Sequence, residues 1–351
     1  MADPRGAPGA LLTLPPGSES EPPSGPGRDL LYVEAIREAL HEEMARDPRV
    51  LVVGEDVGAY GGAFRVTEGL LARFGAERVV DTPVAEEAIV GAAIGAAIRG
   101  LRPVAEMQFI DFVARAFDLL TNFAAKSRYR TGVGVPMVVR GPSGAGVHGG
   151  PFHSQSPERH FVGTPGLKVV VPATAYDAKG LLLSAIRDPD PVVYLEHKFL
   201  YRRVRDRVPD APYSVPIGKA CVRRAGRDLT IVTYGAMLWP ALQAADALSR
   251  EDRLEAEVVD LRTLSPLDRE TVVASVRKTS RCLVVHEDTR TGGIAGEVAA
   301  LLFEEAFEWL DAPVLRVTAP DTPIPFSPVL EAAFLPDAPR IAAAARRLAR
   351  Y

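Results

Sequence analysis

Two acids at the head of an expected helix are the first residues in this 351-residue chain whose type and place could do chemistry. The segment Asp81 to Ile98 reads DTPVAEEAIVGAAIGAAI. A strand ends at Thr82-Pro83, and Glu86 and Glu87 open a helix where the positive end of the dipole stabilises negative charge. On that ground alone Glu86 is a helix-start acid. The helix it opens is unusual, because Gly91, Ala92, Ala93, Gly95, Ala96 and Ala97 leave it small on most sides. Each glycine in a helix interior costs roughly 1 kcal/mol relative to alanine. Close approach of another helix or another chain is the reason such a sequence would be kept. Glu87, turned about 100° from Glu86 by one helical step, falls to packing or a salt bridge.

A second candidate is the loop Gly141 to Glu158, GPSGAGVHGGPFHSQSPE, which has too many glycines for a packed element and holds two of the six histidines. Loops of this kind carry function, and an imidazole moves protons near neutral pH. His148 and His153 are equally well read, on residue type alone, as exposed polar groups. Glu55, in GEDVG, is either a loop acid or a buried partner in a network supporting Glu86. His286, Glu287 and Asp288 end a strand before Gly292-Gly293 and read as surface groups or an interface rim.

The elements that must position these residues alternate in type. Val33, Ile36, Leu40 and Met44 fall at helical spacing, Asp47-Pro48 ends that helix, and Val50 to Val53 is a short buried strand. Strand patterns recur at Val79-Val80, Val104, Met137 to Val139, Leu167 to Val171 and Val192 to Leu195. Helices are expected from Glu86, over Phe112 to Tyr129 and around Leu181. The charged stretch from Tyr201 and the prolines through Pro216 read as a linker over 201–216, with solvated arginines. Beyond it a second set alternates: Leu229 to Thr233, a helix through Leu238 to Leu248, Ala256 to Val259, Leu283 to Val285, a helix Ala295 to Trp309, and Val314 to Val317. The fold class is therefore α/β with two domains, 28–200 and 217–351, each a mostly parallel sheet flanked by helices. Residues 1–27, rich in Pro, Gly and Ser, read as a disordered tail rather than an Arg-rich transit peptide.

Composition removes other classes of function. The longest uncharged apolar stretch, Ala88 to Ile98, is far short of the roughly 20 residues that cross a bilayer, so no membrane partner is expected. A net charge of -4 offers no basic field for nucleic acid. Cys221 and Cys282 lack CxxC spacing, which argues against structural zinc or a disulfide framework and for a cytoplasmic home.

Glu86 followed by Gly91-Ala92-Ala93-Ile94-Gly95-Ala96 resembles the pyrimidine-side motif of thiamine-diphosphate enzymes. GEDVG at Gly54 to Gly58, FRVTEGL at Phe64 to Leu70, RPVAEMQF at Arg102 to Phe109 and HSQSPE at His153 to Glu158 resemble beta subunits of 2-oxoacid dehydrogenases. So do the segment Thr164 to Glu196, DLRTLSPLD and APDTPIPF. The resemblance covers nearly everything after residue 28, in order. The Gly-Asp-Gly of the diphosphate-side motif, whose Asp and downstream Asn hold magnesium through hard oxygen ligands, does not occur in the chain. The resemblance thus implies a subunit that brings the pyrimidine side, while an alpha subunit brings magnesium and diphosphate in an α₂β₂ assembly.

It implies oxidative decarboxylation of a 2-oxoacid, pyruvate or branched-chain, with the acyl group passed to the lipoyl group of an acyltransferase core that docks on the second domain. Glu86 would exchange a proton with the pyrimidine ring, and His153 would face the substrate. Val84, Gln108 and Phe112 match positions that line the ring pocket, and Glu55 its supporting network. Two departures bear on substrate: Phe112 stands where several relatives have tyrosine, and Pro151-Phe152 precedes His153 where a histidine or tyrosine is frequent. Ala185, Asp188 and Asp190 match positions that hold a structural potassium in some relatives. Two other readings stay open: a split transketolase-like or acetoin-cleaving thiamine enzyme, and a non-catalytic α/β scaffold subunit.

Overall fold

The computed structural model describes residues 11–14 and 26–351. Most of the expected disordered tail lies outside the described residues. Within them, Leu12 bridges Val204, donating its amide to Arg203 O at 2.7 Å.

The first domain is built on a seven-stranded sheet. Across the sheet its strands run Lys168–Val170, Val192–His197, Val138–Ser143, Arg102–Glu106, Val50–Gly54 and Val79–Asp81, all parallel. The strands are nearly continuous apolar runs because helices cover both faces. On one face the helix Tyr32–Arg46 buries Tyr32, Val33, Ile36, Leu40 and Met44 against the helix Ala175–Arg187. On the other lies the helix Glu86–Ile98, with Ile89, Val90, Ala93, Ile94 and Ala97 buried.

The seventh strand comes from the far side of the presumed boundary. Thr263–Ser265, a second-domain segment, pairs antiparallel with Lys168–Val170, so the second domain closes the edge of the first domain's sheet. The second domain has its own five-stranded sheet in the order Leu315–Ala319, Cys282–Thr289, Leu229–Thr233, Ala256–Asp260 and Cys221–Arg224, only the last antiparallel. Residues 201–216 are more than a solvated connector. Arg205–Pro209 forms an antiparallel ribbon with Gly27–Leu31, and Val204, Val208 and Val215 are buried in the core. The helix expected over Phe112 to Tyr129 is broken into a 3-10 segment, Ile110–Ala116, a π segment, Leu119–Ala124, and an α segment, Ala125–Thr131. Such irregular helix is frequent beside functional sites.

In parallel sheets ligands bind beyond the carboxyl ends of the strands. The chain leaves those ends at Gly54, Asp81, Glu106, Ser143 and His197. The next residues along the chain are Glu55, the Thr82–Glu86 turn, Gln108, the glycine-rich loop and Lys198, so one rim of the sheet collects the candidate groups.

Candidate active site

Glu86 lies in the first turn of its helix and is only 4% exposed. Its one ion pair among the described residues is Arg115, whose Nε is 3.4 Å from Oε2, and that guanidinium is 71% exposed. Glu55 stands near it, and one of its oxygens, Oε1, is buried without a hydrogen-bond partner among the described residues. Burial, reinforced by the negative charge of Glu86, pushes the Glu55 carboxyl above the usual carboxylate range. Of the two readings of Glu55, the structure places it as a buried neighbour of Glu86. Gln108 is half-buried and donates from Nε2 to Asp56 Oδ2 at 3.0 Å. Val84, in the turn before Glu86, is 78% exposed.

His153 is framed by rings. Phe109 and Phe112 meet its imidazole edge-on, with centroids 4.7 and 5.5 Å away. Phe109 is itself braced by Phe64 at 5.6 Å. Val84, Glu86, Glu55, Gln108, Phe112 and His153 therefore share one rim of the sheet. Glu87 is exposed, with no ion pair at the distances that define one among the described residues. The small face of the helix is also bare: a side-chain carbon at Gly95 would meet nothing within 4 Å, and at Gly91 only Leu119. The close neighbour expected for this face is thus absent from the described part of the chain.

Ala185, Asp188 and Asp190 lie at the opposite rim, where the strand Val192–His197 begins. The Asp188 carboxylate is clasped by Lys168 Nζ at 2.6 Å to both oxygens, and Asp190 by Arg128 Nε at 2.6 Å. Arg102 Nη1 donates to the carbonyls of Ile186 and Asp188 at 2.7 and 3.1 Å. The negative charge expected to attract potassium is already matched by side chains, so an ion there would rest on backbone carbonyls, and no chemistry is routed through it.

Several site residues carry no sequence signal. His286, Glu287 and Asp288 are buried, which corrects the reading of them as surface groups or an interface rim. They end a strand whose neighbours Leu229–Thr233 and Leu315–Ala319 flank it on both sides, and the loop of the first domain covers its end. Glu287 accepts from His197 Nε2 at 2.7 Å and from the Ala145 amide at 2.6 Å. Burial opposes its ionisation, but His197, the amide and Lys198 outweigh burial and hold it below the usual range. Lys198 donates to Gly144 O, and its Nζ stands 6.0 Å from the Phe109 ring centre.

Burial pulls the Lys198 ammonium down to about 8 against the attraction of Asp111, Glu287 and Glu331. An unfolded lysine releases its proton near 10.4. Between these values the folded chain holds fewer protons than the unfolded one, so this lysine's contribution to stability rises with pH. The stability of the chain minus that of Lys198→Met should climb by up to ~3 kcal/mol between about pH 8 and 10.5. Urea unfolding of both chains across that window measures it, and a flat difference would refute it.

With this geometry in view, known proteins place the chain. The transketolase pyrimidine-binding domain family matches residues 29–204 and the transketolase C-terminal domain family matches residues 218–341. The two domains are thus those of the transketolase class, and a solved chain titled split gene transketolase, inactive beta4 tetramer, superposes with a TM-score of 0.73 at 26% identity, covering 92% of this chain and 98% of that one. Nearer in sequence is the 2-oxoisovalerate dehydrogenase subunit beta of Bacillus subtilis, 50% identical over 91% of this chain and 98% of its own length. The pyruvate dehydrogenase E1 component subunit beta of the same organism is also 50% identical, over 92% of this chain and 99% of its own. The chain belongs to this family of 2-oxoacid dehydrogenase beta subunits.

Thiamine diphosphate, implied by the resemblance, fits the half-site. A buried carboxylate at Glu86, an unpartnered buried oxygen on Glu55 and an apolar border of Val84 and Phe112 suit the pyrimidine ring. Among the described residues, no group of three or more His, Cys, Asp or Glu side chains could hold a metal ion.

Proposed function

We propose that this chain forms the pyrimidine side of a thiamine-diphosphate-dependent 2-oxoacid dehydrogenase. In this reading an alpha subunit completes the site with magnesium and diphosphate in an α₂β₂ assembly. The reaction is oxidative decarboxylation of pyruvate or a branched-chain 2-oxoacid, with transfer of the acyl group to the lipoyl group of an acyltransferase core. The observation that carries this is Glu86, a buried carboxylate at the head of a helix whose only ionic partner among the described residues is a solvent-facing guanidinium, beside a second buried acid.

When bound, the cofactor supplies an electron sink for carbon–carbon cleavage. Glu86 would bind the pyrimidine ring nitrogen and hold or return a proton there. Glu55, a second buried acid whose own carboxyl is pushed up by burial and by the charge of Glu86, would border the same ring. Val84 and Phe112 would seat the ring and exclude water. His153, held edge-on between Phe109 and Phe112, presents an imidazole nitrogen to the 2-oxoacid side, where it can donate to the carboxylate and move a proton during acyl transfer. No helix among the described residues is long and apolar enough to cross a membrane.

The test is reconstitution. The chain alone, with thiamine diphosphate and magnesium, should show no 2-oxoacid decarboxylation. Mixed with an alpha subunit carrying Gly-Asp-Gly and a downstream Asn, it should acylate a lipoyl domain. Turnover without a partner would defeat the split-site reading. Ketose transfer in place of lipoyl acylation would favour the transketolase activity suggested by the split gene relative.

A further inference from the structure

The loop that carries His153 is held from the second domain, by groups the chemistry above does not use. Glu331, in the short helix Pro328–Phe334, is 1% exposed. Its Oε1 accepts the Gly146 amide at 2.9 Å, and both its oxygens accept the His148 amide at 3.2 Å. His148 Nδ1 lies 2.6 Å from Oε2. Glu287 performs the matching task at the loop's two ends, taking the Ala145 amide at 2.6 Å and the Ser156 hydroxyl at 3.5 Å. The far end is fixed again where Gln155 N donates to Asp111 Oδ1 at 2.9 Å and Gly144 N donates to Gln155 O at 2.9 Å.

The fit is tight along the whole segment. Gly144 and Gly146 have φ of +80° and +87°, and a side-chain carbon on Gly144 would fall 2.0 Å from His197 Nε2. On Gly150 it would meet the Phe326 ring at 2.2 Å. A carboxylate taken out of water is costly unless charge-assisted bonds satisfy it. Those of Glu331 go to loop amides and to His148, so the carboxylate and the loop conformation stabilise each other. Five residues, Gly149 to His153, lie between His148 and Ser154, and His153 is the last of them.

We propose that Glu331 is a positioning residue: by accepting the Gly146 and His148 amides it sets the loop conformation that presents His153 between Phe109 and Phe112. The second domain thereby controls the competence of a first-domain histidine. The catalytic consequence rests on the reading of His153 given above, whereas the clamp itself does not.

The experiment compares Glu331→Ala, Glu331→Gln, His148→Ala and His153→Ala, each in the complex reconstituted with an alpha subunit. Amide hydrogen exchange is followed on the same chains. Glu331→Ala should speed exchange over residues 144–150 by about tenfold or more while the strand Cys282–Thr289 keeps its protection. It should also lower kcat by about 10- to 100-fold and change KM less, as expected for a misplaced group that acts in the transition state. Glu331→Gln keeps an acceptor oxygen for the amides and should recover most of both properties. His148→Ala removes one side-chain contact, leaves the amide bonds and should fall between. Should Glu331→Ala not fold, the glutamine and His148 variants still decide the matter by the order of their exchange rates.

Unchanged exchange in Glu331→Ala, or a glutamine variant as impaired as the alanine one, would overturn the proposal. If His153→Ala is inactive while Glu331→Ala has full activity, the positioning role fails and the reading of His153 stands. If His153→Ala is fully active, that reading fails, and faster exchange in Glu331→Ala would still support the clamp.

Discussion

Arg223→Met should lower the stability of the chain by about 3–5 kcal/mol, the cost of leaving buried charge without its partner. Arg223 is fully buried where the domains meet, donating to Asp260 Oδ2 from Nη2 at 3.0 Å and pairing with Asp177. Asp177 belongs to the first-domain helix Ala175–Arg187, and Asp260 ends a second-domain strand. Arg262 Nη2 adds an ion pair to Asp177 Oδ1 at 3.0 Å, although without hydrogen-bond alignment. Burial opposes the ionisation of Asp177, and the two guanidiniums outweigh it, so its carboxyl is held below the usual range. For Asp260 burial outweighs Arg223, and the carboxyl lies above that range. Loss of Arg223 therefore strands Asp260 most severely, since Asp177 retains Arg262. Adding Asp260→Asn to Arg223→Met should restore part of the loss, because the uncharged amide removes the uncompensated charge. Urea midpoints of the single and double variants at pH 7 measure both effects, and a double variant less stable than the sum of the singles would contradict this account.

That network also shows where sequence reading reaches its limit. Parallel strands such as Val50–Gly54 and Val192–His197 announce themselves, because burial on both faces demands continuous apolar runs. The helix over Tyr32–Arg46 is equally legible from its 3.6-residue spacing. What local pattern cannot convey is pairing across the chain. Arg205–Pro209 looks like charged linker because its alternating arginines face solvent, yet its partner is Gly27–Leu31, 182 residues away between Arg28 and Asp210. Thr263–Ser265 is too short to show periodicity, and only the first domain's exposed sheet edge explains it.

The candidate site divides in the same way. Glu86 and His153 lie in segments whose composition is odd for ordinary helix or loop, and that oddness drew attention to them. Glu287 and Glu331 sit in unremarkable surroundings, 142 and 185 residues from the amides they accept. His286 to Asp288 read as surface because charged residues are rarely buried. Glu287 is buried because the Ala145 amide and His197 supply the satisfaction that water would otherwise give, and Asp288 because the Thr289 amide and Arg159 face it.

Glu86→Gln should cut kcat of the reconstituted enzyme by roughly 10²–10⁴, the range expected when a positioned proton-transfer group is lost. The substitution is nearly isosteric, and its amide can still hydrogen-bond a ring nitrogen, but it cannot take up and return a proton. Assembly with the alpha subunit and the unfolding midpoint should therefore change little, and KM for the 2-oxoacid should move far less than kcat. Glu55→Gln offers an internal comparison. It removes a buried acid beside Glu86 while keeping a side chain of the same shape, and should lower kcat less than Glu86→Gln does. Glu87→Gln, one step along the same helix but facing solvent, should leave kcat where it was. A Glu86→Gln complex that assembles and turns over at the native rate would remove the carboxylate from the mechanism and leave the chain as a scaffold for its partner's chemistry. Loss of activity together with loss of assembly would instead place Glu86 in the subunit interface. Sedimentation of the mixed subunits before each assay separates these two outcomes, because only a catalytic role lowers kcat in a complex of unchanged mass.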